Sequence, residues 1–287
     1  MIPERVTVVE VGPRDGLQNE AAMLPTAEKI ALVEALAGAG LAVVETTSFV
    51  SPAAVPQLAD ADQVLAGIRR LPGVRYPVLV PNMRGLERAE ASGADAICVF
   101  TAATEEFAQA NIGMTIAASL RAFAPVLERA AERGMWRRGY VSTAFGCPYR
   151  GSVSPHEVVP VAAALLDLGC DQVSIGDTIG VADPDGVRAV VAALLERLPG
   201  QRVALHLHDT GGRALDNVRA GLELGIATFD SAVGGAGGCP FAPGAPGNLA
   251  TESLLALLDE LGVEHDVDAA AVAAAGRALR QRLLLAR

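Results

Sequence analysis

Short apolar runs rich in β-branched residues alternate with longer runs rich in Ala, Leu, Glu and Arg along the whole 287-residue chain. The short runs are almost continuously apolar, which is typical of strands buried on both faces of a sheet. They cover residues 6–11, 42–48, 76–80, 96–100, 139–143, 172–175, 203–207 and 228–232. The longer runs predict helices over residues 26–39, 59–70, 84–91, 116–133, 155–168, 184–198, 212–224 and 248–261. This order predicts a parallel sheet in which each strand is followed by a helix.

Eight strands that are each followed by a helix give the count of an α/β fold of the (β/α)8, or TIM-barrel, type. A doubly wound open sheet is the alternative, but no Gly-x-Gly-x-x-Gly turn follows the first strand. We expect a single catalytic barrel domain over residues 1–287, with residues 268–287 as a C-terminal helical extension. Thr26, Ser154 and Asp183 are predicted to begin helices, by their residue type and, for Asp183, by the proline that follows.

The formal net charge is −10, from 23 basic and 33 acidic residues, and the isoelectric point is near 4.9. This balance argues against nucleic acid and anionic membrane surfaces as partners, because both require a basic footprint. No apolar run is long enough to span a membrane, and the first strand begins too early to leave room for a leader segment. Four cysteines without paired spacing favour a reducing compartment. We therefore expect a cytoplasmic protein.

The first strand leads into Gly-Pro-Arg-Asp-Gly, which places Arg14 and Asp15 at the mouth of the predicted barrel. Pro-Arg-Asp-Gly is also good turn chemistry, so a plain surface turn is one interpretation of this pair. The functional interpretation is a guanidinium directed at an oxyanion, beside a carboxylate that binds a cation. The two interpretations are about equally supported by these residues taken alone.

His206 and His208 lie two residues apart at the end of the seventh predicted strand. Residues i and i+2 share one face of a strand, so both imidazoles can point into the barrel. A single histidine is more often a hydrogen-bonded structural residue, but a His-x-His pair at a strand end is a good candidate for a metal site. The other two histidines, His156 and His265, receive no role.

Two acids interrupt or end buried strands: Glu45 lies within the second run and Asp177 ends the sixth. A buried carboxylate costs several kcal/mol unless it is paired, and Arg14 is the simplest partner for these acids. Such a pair would also orient Arg14 for chemistry.

A Gly- and Pro-rich segment after the eighth strand contains Cys239 and leads to Asn248. Their structural interpretations are a small buried hydrophobe for the cysteine and a helix start for the asparagine. The flanking glycines make buried packing less natural for Cys239 and favour a loop that closes over a ligand. Cys147, after the fifth strand, is interpreted as structural.

Taken together, these residues resemble the 3-hydroxy-3-methylglutaryl-CoA lyase family of metal-dependent barrels, over nearly the whole chain. The segment that contains the cysteine is the strongest signal, because condensing synthases of the same superfamily carry a different segment there. The motifs that carry the resemblance are VGPRDGLQNE, ETTSFVSP, VPQLAD, YVSTAFGCPYRG, GDTIGVADP, HLHDTGGRALDNV and GGAGGCPFAPGAPGNLATE.

The resemblance implies a role for each matching position. Its divalent-metal ligands fall on Asp15, His206, His208 and Asn248, and this oxygen and nitrogen donor set suits Mg²⁺ or Mn²⁺, with Zn²⁺ possible in vitro. The implied partner is an acyl-CoA thioester, and the implied assembly is a homodimer. The remaining matches are the catalytic Arg14, the loop thiol Cys239, the supporting acids Glu45 and Asp177, the substrate contact Gln18, and Arg84 where relatives usually have lysine.

The implied reaction is the retro-Claisen cleavage of 3-hydroxy-3-methylglutaryl-CoA to acetyl-CoA and acetoacetate. His206 or Asp15 would take the hydroxyl proton, Arg14 would meet the developing enolate oxygen, and Cys239 would return a proton. A lyase for a longer 3-hydroxy-3-alkylglutaryl thioester is the nearest alternative, followed by a Claisen condensing synthase. A non-catalytic barrel that binds a metal or an acyl thioester needs neither Arg14 nor Cys239.

Overall fold

The computed structural model describes residues 2–237 and 247–286 of the chain. Nine strands in this part of the chain form one parallel sheet in the order β2-β1-β9-β8-β7-β6-β5-β4-β3. The strands are β1 (Thr7–Glu10), β2 (Val43–Val44), β3 (Thr47–Ser48), β4 (Val78–Leu79), β5 (Ala96–Ala102), β6 (Trp136–Ser142), β7 (Gln172–Gly176), β8 (Val203–His206) and β9 (Thr228–Ser231).

The two end strands of that order, β2 and β3, are halves of one run separated only by Glu45 and Thr46. The Glu45 amide donates to the Glu10 carbonyl on one side, while the Thr46 amide donates to the Pro77 carbonyl on the other. The sheet therefore closes on itself into a barrel with eight strand positions, one of which is shared by β2 and β3. The predicted (β/α)8 fold is confirmed, and the ninth strand arises because the second run is split.

Helices follow the strands along the chain and pack around the sheet, and the apolar core lies largely between the two layers. The α-helices are α1 (Thr26–Gly38), α2 (Ala61–Gly67), α3 (Met83–Ala91), α4 (Glu105–Ile112), α5 (Ile116–Glu132), α6 (Pro155–Asp167), α7 (Pro184–Leu195), α8 (Ala214–Glu223), α9 (Thr251–Leu261) and α10 (Ala269–Leu285). All eight predicted helices are present with shifted ends, and α4 was not predicted.

The predicted helix starts had mixed outcomes. Ser154 forms a capping box with Glu157, and the Asp183 side chain accepts from the Gly186 amide, as expected for N-cap residues. Helix α1 begins at Thr26 as predicted, although Pro25 holds the N-cap position and the Thr26 hydroxyl donates to Asp60. The prediction of a helix start at Asn248 is wrong, because α9 begins at Thr251 and Asn248 pairs with His208 in an isolated bridge.

The C-terminal extension is confirmed as helix α10, which begins after its N-cap Asp268. It packs on α1, on α9 and on the turn Val233–Gly235 that follows β9. Gly276 allows this close contact, because a Cβ there would overlap the Glu252 carboxylate, which accepts from the Gly234 amide. In the described residues no single helix is long and apolar enough to cross a membrane, although the bent pair α4 and α5 meets the length and composition criteria together.

Candidate active site and metal centre

A cavity of about 460 Å³ opens among the carboxyl ends of the strands and the segments that follow them. One part of its lining, here called the charged wall, consists of Arg14, Asp15, His206 and His208. A second part, here called the neutral wall, consists of Ser142, Gly176 and Thr178 at the ends of β6 and β7. In a barrel of this type the carboxyl end is where enzymes keep their sites.

Asp15, His206 and His208 bring three potential metal-ligand atoms within 4.8 Å of one another. The two Nε2 atoms of the histidines are 3.2 Å apart, and His206 Nε2 is 3.9 Å from Asp15 Oδ2. Neighbouring ligands on an octahedral ion with bonds of about 2.1 Å are about 3 Å apart, so small side-chain adjustments would suffice. The residues present therefore fit a divalent cation, and the His-x-His pair converges as its spacing predicts.

Asn248 completes this cluster from the segment before α9. Its Nδ2 donates to Asp15 Oδ2 at 2.9 Å and to the Ala236 carbonyl at 3.2 Å. The amide oxygen and nitrogen of asparagine exchange places by a rotation of the amide group, so either can face the cluster. The structure thus brings together all four residues predicted as metal ligands.

Asp230 orients His206 from below, and sequence reasoning missed it. Asp230 Oδ2 lies 3.2 Å from His206 Nδ1 and accepts from Ser174 Oγ at 2.8 Å. A carboxylate on Nδ1 holds the proton there and leaves the Nε2 lone pair facing the cluster, which is the common arrangement behind metal-binding histidines. Burial lowers the pKa of His206, but the hydrogen bond to Asp230 and the charge of Asp15 outweigh it, so this pKa is raised.

The pKa values of the two neighbouring groups, His208 and Asp15, are lowered instead. Burial and the charge of His206 lower the pKa of His208 to about 4, which keeps this imidazole neutral. Burial acts to raise the pKa of Asp15, but the charges of Arg14 and His206 lower it to about 2. A neutral imidazole and an ionised carboxylate are the forms that bind a cation.

Arg14 is 6% exposed and forms the centre of the charged wall. Its Nη1 donates to Asp15 Oδ1 at 2.7 Å, and its Nη2 donates to Glu45 Oε2 at 2.9 Å. The predicted pairing of Glu45 with Arg14 is therefore confirmed. The Arg14 Nε atom is buried and has no hydrogen-bond partner among the described residues, so this donor remains for a ligand.

The turn that carries Arg14 and Asp15 is a π-helical segment, Gly12–Gly16, directly after β1. Glu10, at the end of β1, anchors this turn from behind. Its Oε1 accepts from the amides of Gly12 and Val233, both at 2.8 Å, and its Oε2 accepts from the Thr251 hydroxyl at 2.7 Å. With neutral partners only, burial raises the pKa of Glu10 to about 7.

Below the cluster, the fully buried Arg138 connects the acid behind His206 to the group that contacts Arg14. Its Nη2 donates to Asp230 Oδ1 at 2.6 Å, and its Nη1 donates to the Tyr140 hydroxyl at 3.0 Å. Tyr140 in turn donates to Glu45 Oε2 at 2.9 Å. The sequence predicts β6 only from Gly139, whereas the strand begins at Trp136 and includes Arg138. The acid that neutralises Arg138 lies 92 residues away in the sequence.

The predicted pairing of Asp177 with Arg14 is wrong. Asp177 Oδ1 accepts from the Val181 amide at 3.0 Å and Oδ2 accepts from the Ala182 amide at 3.1 Å. These bonds hold the turn between β7 and α7, because the carboxylate supplies the acceptors that its backbone needs. Burial raises the pKa of Asp177 to about 6.

The other predicted site residues are distributed unequally. Gln18 lines the cavity, and its Oε1 is buried without a hydrogen-bond partner among the described residues. Arg84 is exposed near the start of α3 and is not among the residues that line the cavity. Cys147 is buried beside Thr104, as a structural cysteine would be. Cys239 lies outside the described residues, two positions beyond Gly237, whose carbonyl accepts from the Asn248 amide at 3.3 Å.

Comparison with known proteins gives one consistent result. The HMGL-like family model matches residues 5–279. The chain is 48% identical over 282 residues to mitochondrial hydroxymethylglutaryl-CoA lyase of Rattus norvegicus, which covers 98% of this chain and 87% of the relative. Curated relatives of this kind include cytoplasmic as well as mitochondrial proteins.

Solved structures agree with this result. The HMG-CoA lyase of Brucella melitensis superposes with a TM-score of 0.95 at 53% identity, covering 97% of this chain and 99% of that one. An HMG-CoA lyase from Acinetobacter baumannii in complex with coenzyme A and 3-methylmalate superposes with a TM-score of 0.93 at 38% identity, covering 98% and 92% of the two chains.

Proposed function

The chain belongs to the hydroxymethylglutaryl-CoA lyase family, and from that premise we propose how its own residues carry out the reaction. The protein is a carbon–carbon lyase that cleaves 3-hydroxy-3-methylglutaryl-CoA. The observation that carries the proposed mechanism is the convergence of Asp15, His206 and His208 within 4.8 Å, beside the buried guanidinium of Arg14.

The cleavage needs three coordinated changes in the substrate. The tertiary hydroxyl loses its proton, its oxygen forms a carbonyl, and the neighbouring carbon–carbon bond breaks. The electron pair of that bond passes into the thioester, which becomes an enolate. Addition of one proton to the enolate carbon gives acetyl-CoA, and the other fragment is acetoacetate. The protein must therefore accept one proton, stabilise one oxyanion and return one proton.

Asp15, His206, His208 and Asn248 would hold a divalent cation, which we propose is Mg²⁺ or Mn²⁺, with Zn²⁺ able to use the same donors in vitro. When bound, such an ion supplies Lewis-acid polarisation of the substrate oxygens. The donor set supports this proposal, since one carboxylate, two imidazoles and one amide leave room for further oxygen ligands. Asp230 behind His206 holds the ring in the orientation that binding requires.

Arg14 would stabilise the enolate oxygen. Its guanidinium is always charged, and its contacts to Asp15 and Glu45 hold the planar group in one orientation. The buried Nε donor without a partner among the described residues supports this role, because such a donor costs free energy until a ligand satisfies it. A preorganised donor in a water-poor site stabilises charge where it develops in the transition state.

Two side chains remain candidates for the base that accepts the hydroxyl proton, Asp15 and His206. Cys239 would return the proton to the enolate carbon, as the sequence resemblance implies. Gln18 would contact the substrate through its buried amide, which has an acceptor without a partner among the described residues. Arg84 would act further out, on the coenzyme A phosphates, and its exposed position near the start of α3 is compatible with such a contact.

The decisive experiment incubates the protein, stripped with a chelator, with the thioester and measures acetoacetate with and without added Mg²⁺ or Mn²⁺. We expect no product without metal and full restoration with it. Activity in thoroughly stripped protein would refute the metal requirement. Thioesters with longer 3-alkyl groups, tested in parallel, identify the acyl chain that is turned over fastest.

The same assay tests the thiol. Cys239→Ser should retain metal binding but lose most of kcat, because a hydroxyl is a far weaker acid than a thiol. Cys147→Ser is the matched control, since Cys147 is buried and is not among the described residues that line the cavity. Normal turnover by Cys239→Ser would remove the thiol from the mechanism.

A homodimer, a cytoplasmic location and a single catalytic domain over residues 1–287 remain predictions. Gel filtration with light scattering tests the first, and limited proteolysis tests the last. A condensing synthase is the other enzymatic candidate, but the Cys239 segment is the feature that favours the lyase.

A further inference from the structure

Thr143, directly after β6, has a left-handed backbone conformation that is usual for glycine and rare for threonine. Its φ is +57°, and among the described residues only Thr143 and Asp266 combine a positive φ with a side chain. Threonine is β-branched, so this left-handed conformation brings its Cβ substituents close to the backbone and is a genuine outlier. Strain of this kind persists only where the surrounding contacts impose it, and it concentrates at functional sites.

Hydrogen bonds impose the conformation of Thr143 from three directions. Its amide donates to Thr178 Oγ1 at 2.7 Å, and its hydroxyl donates to the Ser142 carbonyl at 2.7 Å. The Thr104 hydroxyl lies 3.2 Å from the Thr143 hydroxyl and 3.2 Å from Cys147 Sγ. Thr143 is fully buried, so water cannot replace these bonds.

The left-handed turn redirects two consecutive amides towards one neighbouring segment. In a regular strand successive N–H groups point to opposite sides, so they serve different neighbours. Here the amides of Thr143 and Ala144 both donate to the end of β7, to Thr178 Oγ1 at 2.7 Å and to the Gly176 carbonyl at 3.0 Å. On its other side, the Ser142 carbonyl accepts from the Ala103 amide of the chain that continues β5, at 2.9 Å.

These bonds end on the neutral wall of the cavity, whose three members are Ser142, Gly176 and Thr178. We propose that Thr143 is a positioning residue, and that its left-handed backbone holds the neutral wall at the distance from the charged wall that the reaction needs. Thr143 itself does not line the cavity, so it acts through its neighbours. The inference rests on the lyase activity described above and adds a role that lies outside the charged residues.

The test compares three substitutions at Thr143 with one at Asp266. Thr143→Val keeps the shape of the side chain but removes the hydroxyl, so nothing ties the strained residue to Ser142 and Thr104. We expect kcat to fall by at least tenfold, since small misplacements in an active site have effects of this order. Thr143→Ala removes the hydroxyl without a β-branch and should show the same direction if the valine variant folds poorly. Thr143→Ser keeps the hydroxyl and should recover most of the activity.

Asp266→Val is the matched control, because it places the same β-branched residue at the same φ of +57°, in an exposed segment between α9 and α10. It should lower the melting temperature and leave kcat and KM unchanged. For the Thr143 variants, Mn²⁺ affinity by calorimetry should stay within about twofold of that of the unsubstituted protein, because the described side-chain hydrogen bonds of Thr143 go to Thr178, Ser142 and Thr104 and not to the metal-site residues.

The results distinguish failure of the Thr143 proposal from failure of the proposed lyase function. The proposal is overturned if folded Thr143→Val and Thr143→Ala retain kcat within twofold, or if Thr143→Ser loses as much activity as they do. A lower melting temperature with unchanged kcat would show that the strain serves stability alone. Absence of lyase activity in the unsubstituted protein would instead refute the proposed function, and the metal titrations and melting curves would still show whether the variants are folded.

Discussion

The charged wall and the neutral wall of the cavity hold their shapes by different means. Charged partners organise the first: Arg14 binds Asp15 and Glu45, and Arg138 binds Asp230. Backbone amides and hydroxyls organise the second, through Thr143, Thr178 and Ser142. The pKa values of two acids differ accordingly: Asp15 lies on the charged wall, and Asp177 lies between Gly176 and Thr178 of the neutral wall. Partner charges outweigh burial and lower the pKa of Asp15 to about 2, whereas burial raises the pKa of Asp177 to about 6.

This difference indicates a division of labour within one site. Ionic partners keep the charged wall ready to bind a cation and an oxyanion, since they favour the ionised forms of its acids. The neutral wall supplies geometry without charge, so it can bound a reactant without competing for the cation. The comparison leads to three predictions, ordered by the size of the expected effect.

The largest effect is expected from Arg14→Lys on the charged wall. Lysine keeps the charge but has no planar fork, so it cannot contact Asp15, Glu45 and the enolate oxygen at once. We expect kcat to fall by roughly 10²-fold or more with little change in KM, because the lost contact forms mainly in the transition state. Arg129→Lys is the control, because Arg129 on α5 pairs with Glu90 on α3, and this variant should behave as the unsubstituted protein. A near-normal kcat for Arg14→Lys would reduce the charged wall to a structural ion-pair network.

The second prediction is of intermediate size and compares Mn²⁺ affinity after a substitution behind the charged wall and one beside the neutral wall. Asp230→Asn removes the carboxylate behind His206 and should weaken Mn²⁺ binding by about 10- to 100-fold. Asp177→Asn is its matched counterpart on the turn beyond β7. It leaves one backbone amide without its acceptor, which costs about 1–3 kcal/mol of stability, and it should leave Mn²⁺ affinity unchanged. Calorimetric titration with Mn²⁺ and urea unfolding measure the two quantities. Equal losses of Mn²⁺ affinity in both variants would contradict the separation.

The smallest effect on the chemistry of the site is expected from Glu10, an acid behind the charged wall whose hydrogen-bond partners are neutral. Its pKa is about 7 in the folded protein, above the ordinary value of 4.5, because of burial. The folded state therefore binds more protons between these two values, and stability falls as pH rises from about 5 to 8, by at most about 3 kcal/mol. Glu10→Gln should remove this dependence, so the stability of the variant relative to the unsubstituted protein rises with pH. Urea unfolding at pH 5 and pH 8 tests this, and a difference independent of pH would refute it.

The sequence predicts the charged wall well and the neutral wall poorly, for a physical reason. Charges within buried strands are unusual, so Arg14, Glu45 and the His206–His208 pair stand out, and the structure brings them together. Arg138 and Asp230 were missed because their pairing across 92 residues makes each acceptable only in three dimensions. Thr143 gives no signal either, since threonine normally favours extended backbone and only tertiary hydrogen bonds impose a positive φ.

The assignment of Asp177 to the charged network failed for a related reason. An acid at a strand end can be satisfied by a cation or by the amides of its own turn, and the sequence does not distinguish them. The barrel itself was predictable, because eight apolar runs with helices between them leave few alternatives. The split of the second strand was not, since it arises where the amide partner changes from Glu10 at Glu45 to Pro77 at Thr46, and this change depends on the closure of the barrel.

The buried Arg138 beneath the site bears on how substrate enters and products leave. Arg138, Asp230 and Cys98 are almost completely buried, so solvent does not reach these side chains within the described part of the chain. We expect substrate and products to share the open end of the cavity, at the carboxyl ends of the strands, so the fragment attached to coenzyme A should leave before acetoacetate. Kinetically, acetoacetate should then inhibit in competition with the thioester, while acetyl-CoA should not, and steady-state product-inhibition patterns would reveal the order.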